Sequence, residues 1–215
     1  MSSEMKMPKA SLSYRRFQEV ILRSHKLVSL HEFLEEKLGS RDPSLDFSDL
    51  LRSAIVLSVA AMDAYFTDVF AERLVPYLKK KRCGNRLSEL LEEAGLTAAV
   101  TLELLPMDRP YRRIRTLIEV YLERQVTQRL DAINALFDAY GIQDLCGNAQ
   151  AKLERKKLCR EIEVLVQRRH DIAHEGDLDR HGNVRSLKHK WVRHRLRDVQ
   201  LFVGACEEIL QDQLG

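Results

Sequence analysis

The sequence predicts an all-α fold: a single helical bundle built on a long antiparallel core with short additional helices. Three observations carry that expectation. Apolar residues recur at intervals of three and four along nearly the whole chain, and no stretch alternates with the period of two that a half-buried strand needs. Glycine and proline are scarce, 9 and 5 in 215 residues, and several of them stand where a periodic stretch stops. With 45% hydrophobic and 31% charged residues the chain can bury a sizeable core, which excludes a disordered or collagen-like class and makes a disulfide or metal staple unnecessary.

The elements follow in order. Residues 1–12 read as a flexible N-terminus, and 13–215 as one helical domain without repeats or low-complexity tracts. Ser13 to Leu38 is the first helix, with Phe17, Ile21, Leu27, Val28, Leu30 and Leu34 on its apolar positions. Gly39 and Arg41-Asp42-Pro43 end it. Asp46 is placed to cap a second helix reaching towards Lys80. This helix is apolar nearly all round and carries small residues (Ser58, Ala60, Ala61, Ala64) that admit close neighbours, so it should be central. Lys79-Lys80-Lys81-Arg82 and Gly84 mark its exit. Short helices are expected at Arg86–Ala94 and Thr97–Leu105, and Pro106 and Pro110 then break the chain. One long helix is expected over Tyr111–Tyr140, stopped by Gly141, and another over Ala149–His174, with Gly176 as its C-cap. A polar loop, Gly176 to Lys188, leads to a last helix, Lys190 to Leu214.

A net charge of +3 says little about partners, but its distribution says more. From Arg168 to Arg197 nine Lys/Arg face four Asp/Glu, a local excess of nine minus four, or +5, and five of the seven histidines share that window. Such a concentration attracts a phosphate backbone; the alternative is a solvated basic face. Cys83, Cys146, Cys159 and Cys206 stand too far apart for a zinc ribbon or redox pair and suit a reducing cytoplasm. The N-terminus has no apolar core for a secretory signal. The most apolar stretch, Ala54 to Phe66, is too short to span a bilayer and contains Asp63, so a membrane is not expected as a partner.

One residue breaks the pattern. On a helical wheel advancing about 100° per residue, Leu158, Ile162, Leu165, Val166, Ile172 and Ala173 form one stripe, and Arg169 falls at its middle. A guanidinium there is costly unless paired or reserved for an anion. Two readings stay open: a core ion pair, with Asp63 of the second helix as the obvious carboxylate, or a fork of donors aimed at a phosphate. Five residues on comes His174, followed by Glu175 and Gly176 at the expected helix end.

The stretch Gln167-Arg168-Arg169-His170-Asp171-Ile172-Ala173-His174-Glu175-Gly176-Asp177 resembles the signature of HEPN domains, Arg-x-x-x-x-His at the end of a core helix. It is most similar to the RiboL-PSP-HEPN branch, in which a Glu-Gly-Asp-like turn follows. Leu51 to Phe66 also resembles that branch's central helix. The resemblance implies a bundle that dimerises so that two motifs line one cleft. Many such domains are metal-independent endoribonucleases, often toxins or antiviral factors; others are inactive modules that bind nucleic acid, a nucleotide or a partner protein. It further implies an antitoxin or other regulatory protein among the partners. Family members commonly carry a polar residue, often Asn, just after the Arg; this chain has His170.

RNA supplies its own nucleophile, the 2′-hydroxyl, so a nuclease of this kind needs no cofactor or metal. It needs a general acid/base titrating near neutrality and a cation for the developing phosphorane charge. His174 suits the first role and Arg169 the second, with His170, Asp63 and Glu175 in support and Arg168, Lys188, Lys190 and Arg193 as RNA contacts. A histidine at a helix C-terminus is favoured in its protonated form, as a general acid requires. Arg169 and His174 lie about 140° apart on a regular helix, so either the helix ends before His174 or two subunits assemble the site.

A rival is a metal site. His170 and His174, four apart, share a face as zinc ligands do, with a third ligand from Glu175, Asp177, Asp179 or His181; yet Asp171 stands where zinc enzymes of that pattern carry the longer Glu. A calcium loop is excluded, because His181 and Lys188 occupy ligand positions of Asp177-x-Asp179-x-His181-Gly182. His25 and His31 read as surface or packing positions, and Tyr65, Tyr111, Tyr121 and Trp191 as core rather than stacking platforms.

Overall fold

A computed structural model describes residues 10–39, 42, 45–80, 83–125 and 127–215. The expected flexible N-terminus therefore lies almost wholly outside the described residues, as do Arg41, Pro43, Lys81 and Arg82. Nine α-helices occur among them: α1 (Leu12–Leu34, continued by a π-helical turn, Glu35–Gly39), α2 (Ser48–Lys80), α3 (Asn85–Glu93), α4 (Ala98–Leu104), α5 (Pro110–Leu122), α6 (Leu130–Asp138), α7 (Leu145–Lys152), α8 (Leu158–Glu175) and α9 (His189–Leu214). The one β-bridge among the described residues pairs Leu178 with Val184 inside the polar loop. The fold is all-α, as the periodicity predicts.

The central role of α2 follows from its sequence. Being apolar on every side, it must be covered on every side, and it packs against α1, α5, α6, α8 and α9. Leu51, Ile55, Val59, Met62, Phe66 and Phe70 are fully buried along it. The Phe66 ring meets Tyr65, Phe137 and Phe202 edge-on at centroid distances of 5.0 to 6.0 Å, an arrangement aromatic quadrupoles favour. By length and composition α2 is apolar enough to cross a bilayer, but 61% of that stretch is buried inside the bundle, which accounts for its character.

Polar pins register the three long helices. Buried Glu207 of α9 accepts hydrogen bonds from the Ser11 amide at the start of α1 (2.8 Å) and from the Tyr65 hydroxyl of α2 (2.9 Å). Arg73 of α2 stands 3.8 Å from the same carboxylate. Desolvation, reinforced by Glu207, pushes the Tyr65 hydroxyl well above its ordinary pKa, so it remains a donor.

Two expected helices are each divided. The stretch Tyr111–Tyr140 forms α5 and α6, because Thr127 leaves the helical ladder: its amide donates to Asp63 of α2 at 3.1 Å, and its hydroxyl donates to the same carboxylate. The stretch Ala149–His174 forms α7 and α8, with α7 starting earlier than expected, at Leu145. Glu154, in the left-handed region at φ 54°, turns the chain between them. Apolar spacing alone could not reveal either break, since the stripes on both sides face one core.

Phe66→Ala removes a fully buried ring shared by three neighbours, and should cost roughly 3–5 kcal/mol in denaturant unfolding while helical circular dichroism at low denaturant persists.

Candidate active site

The end of α8 is held by a buried cluster of ions. Gly176, at φ 65°, terminates the helix in the left-handed region, and the Asp177 amide turns back to the Asp171 carbonyl (3.1 Å). This carries the Asp177 side chain, with no exposure, into a ring of three guanidinium groups. Arg52 Nε of α2 donates to Asp177 Oδ2 (2.9 Å), Arg168 Nη2 of α8 donates to the same oxygen (3.0 Å), and Arg185 Nε from the loop donates to Oδ1 (3.2 Å). Arg185 also donates to Asp171, which accepts from Gln167 Nε2 as well (2.7 Å). Burial raises the Asp171 carboxyl, but these hydrogen bonds outweigh it and hold the carboxyl below its ordinary value. Between Asp177 and Arg185 the chain forms a tight hairpin: the Asp179 amide donates to the Asn183 carbonyl, and the Asp179 carboxylate accepts the amides of His181 and Asn183 (2.8 and 2.9 Å).

On this frame α8 runs unbroken through His174 to Glu175, so the option of a helix ending before His174 is overturned. The reason is the cap: Gly176 is the first residue free to leave the helix. The rings of His170 and His174 lie with centroids 4.6 Å apart, tilted at 40°, both exposed. Arg169 is half-buried, its Nε is enclosed, and it has no hydrogen bond or ion pair among the described residues. Asp63 does not supply the expected counter-charge, because its carboxylate serves Thr127. Arg169 is thus an unpaired cation at the edge of the core, pointing about 140° away from His174 on a regular helix.

The other expected site residues are dispersed. Arg168, expected at an RNA surface, is turned into the Asp177 cluster, with Nε 2.8 Å from Oδ1. Arg193 pairs with Glu32 of α1. Glu175 is exposed beside His174, and Lys188 and Lys190 are exposed at the start of α9. Among the described residues no three His, Cys, Asp or Glu side chains gather closely enough to hold a metal ion. Sequence reasoning missed Arg52, Asp171 and Arg185. Arg52 carried the signal that exposed Arg169, an arginine beside Leu51, Ala54 and Ile55 in an apolar helix, and the same test would have found it.

An apolar groove opens beside the motif. It has a volume of about 670 Å³ and is lined by Leu27 of α1, by Val56, Leu57 and Ala60 of α2 together with Asp49, Arg52 and Ser53, and by Ile172 and Gly176 at the end of α8.

Fold and motif together define a helical bundle of HEPN type. The RiboL-PSP-HEPN family model matches residues 19–210, and the chain belongs to that family. Its membership points to functions connected with RNA and nucleases. No curated protein and no solved structure matches the chain.

Asp177→Asn leaves three guanidinium groups short of their counter-charge and should cost roughly 3 kcal/mol or more in chemical denaturation. The depressed Asp171 carboxyl stabilises the hairpin above its unfolded pKa of about 4, and this contribution is lost as pH falls through the lower folded value. Fluorescence of Trp191, the single tryptophan, should therefore report loosening below about pH 4, and Asp171→Asn should abolish that transition.

Proposed function

We propose that the protein is a metal-independent endoribonuclease whose active cleft is assembled from two copies of the chain. The observation that carries this reading is Arg169: half-buried, without a partner among the described residues, and at the start of the Arg-x-x-x-x-His stretch that resembles the HEPN signature. An enclosed guanidinium with no carboxylate partner is stabilised when an anion arrives, and a scissile phosphate is the anion its fork of donors suits.

In this mechanism the 2′-oxygen attacks the adjacent phosphorus while His174 relays the proton. The bond from phosphorus to the 5′-oxygen breaks, leaving a 2′,3′-cyclic phosphate and a 5′-hydroxyl. Arg169 stabilises the charge that builds on the phosphoryl oxygens. His170, whose ring lies 4.6 Å from that of His174, helps to orient it. Because Arg169 and His174 diverge on one rigid helix, the two roles at one phosphate fall to different subunits. The groove lined by Leu27, Val56, Leu57, Ala60 and Ile172 suits a second copy, since it adjoins the motif and is chiefly apolar.

Purified protein should cut single-stranded RNA in excess EDTA, giving cyclic-phosphate ends, and His174→Ala should lower the rate at least ~100-fold without changing the melting temperature. Cleavage that needs a divalent metal, or survives in the variant, would falsify the mechanism. Val56→Glu places a charge in the groove and should yield monomers in sedimentation together with loss of cleavage; a monomer that cuts at the wild-type rate would overturn the composite site.

A further inference from the structure

The first turn of α9 opens into a second pocket, of about 580 Å³, which shares Arg52 with the apolar groove. Lys188 at the N-cap makes no side-chain capping bond, and the amides of His189 and Lys190 have no hydrogen-bond partner among the described residues. This is the positive end of a 26-residue helix, with its donors free. A second observation is independent of the helix end. His31 of α1 lines the same pocket at 7% exposure, and its buried Nδ1 has no hydrogen-bond partner among the described residues. Its ring lies 6.1 Å from that of His189. A buried imidazole nitrogen left unsatisfied beside free amides is a cost that a ligand would remove.

The charges around the pocket divide by how they are engaged. Asp46 is occupied at the start of α2, where it accepts the Ser48 amide (2.7 Å) and hydroxyl (2.9 Å). Glu32 pairs with Arg193 and stands 3.8 Å from His189 Nε2. Glu35 is exposed at the rim. Lys188 and Lys190, by contrast, make no ion pair among the described residues. Asp46 and Glu32 are engaged and Glu35 stays exposed at the rim, while two ammonium groups, two amides and an imidazole without partners among the described residues line one pocket. Such a donor set matches a tetrahedral oxyanion.

We infer that this pocket binds a phosphate group, held by the His189 and Lys190 amides, His31 and the Lys188 and Lys190 ammonium groups. The group can be a backbone phosphate of a bound RNA strand or the phosphate of a free mononucleotide. The phosphate site stands without the cleavage reading; only the RNA source depends on it.

The test is a titration of isotopically labelled protein with inorganic phosphate, against chloride at matched ionic strength, read by nuclear magnetic resonance. Saturable shifts should concentrate on the His189 and Lys190 amides and the His31 ring. Lys188→Ala/Lys190→Ala should weaken binding at least tenfold, and His31→Gln should weaken it while the rest of the spectrum stays native. His174→Ala, outside this pocket, should bind phosphate like the wild type whether or not the wild type cuts RNA. Competition then assigns the source: displacement by a 5′-mononucleotide indicates a nucleotide site, and displacement only by an uncleavable 2′-O-methyl oligoribonucleotide indicates a strand contact. Absence of saturable shifts, equal binding by the double lysine variant, or phosphate that neither competitor displaces would each overturn the proposal.

Discussion

The buried carboxylate of Asp177 is the contact on which the local architecture depends. A carboxylate without solvent is tolerable only when its lone pairs are filled, and three guanidinium groups from α2, α8 and the following loop fill them. Each arginine is in turn held: Arg52 also donates to Ser48 Oγ (2.5 Å) and to the Arg185 carbonyl (2.7 Å), and Arg185 reaches Asp171. One ion therefore ties the end of α8 to α2 and holds the hairpin back against both. The left-handed backbone at Gly176 and at Asp177 itself (φ 58°) is the local cost, and Asp177 keeps its own non-glycine strain because the surrounding ion pairs determine its place.

A helix clamped at its last turn has consequences for chemistry. Had α8 frayed before His174, one chain could have turned both motif side chains to one phosphate. The clamp holds the helix through Glu175 and keeps Arg169 and His174 about 140° apart, so that in the proposed mechanism their convergence falls to a second copy. It also keeps the two neighbouring histidines in solvent rather than against the bundle. In the proposed mechanism, the rigidity that holds the motif side chains and the call for a second copy share one origin.

Much of this was legible in the sequence. The fold class, the central helix and the bounds of α1, α2, α3, α4 and α9 follow from apolar spacing and cap residues, which act locally. The division after α5 was not legible, because it depends on a tertiary contact: Thr127 leaves its helix for Asp63, which lies 64 residues earlier in the chain; that after α7 turns at Glu154, a left-handed position that no glycine marks. The candidate site shows the same split. Arg169 could be found because a cation within an apolar stripe is anomalous by itself. Asp177 could not, because an acidic residue after a helix-ending glycine reads as a solvated loop position until Arg52, 125 residues away, is brought to it.

The charge excess over residues 168–197 illustrates a limit of counting cations. Four of its nine, Arg168, Arg185, Arg193 and Arg195, are committed to acids inside the fold. Arginine lends itself to this use: a planar fork can join two partners at once and is desolvated more readily than an ammonium. The two lysines in the window stay in solvent at the start of α9. Only Arg168 and Arg185 of the window belong to the clamp; the two lysines, Arg169, Arg180 and Arg197 have no ion pair among the described residues, and of these only Arg169 is partly withdrawn from solvent. In this chain an arginine's meaning depends on whether an acid meets it, and spacing along one helix cannot reveal that.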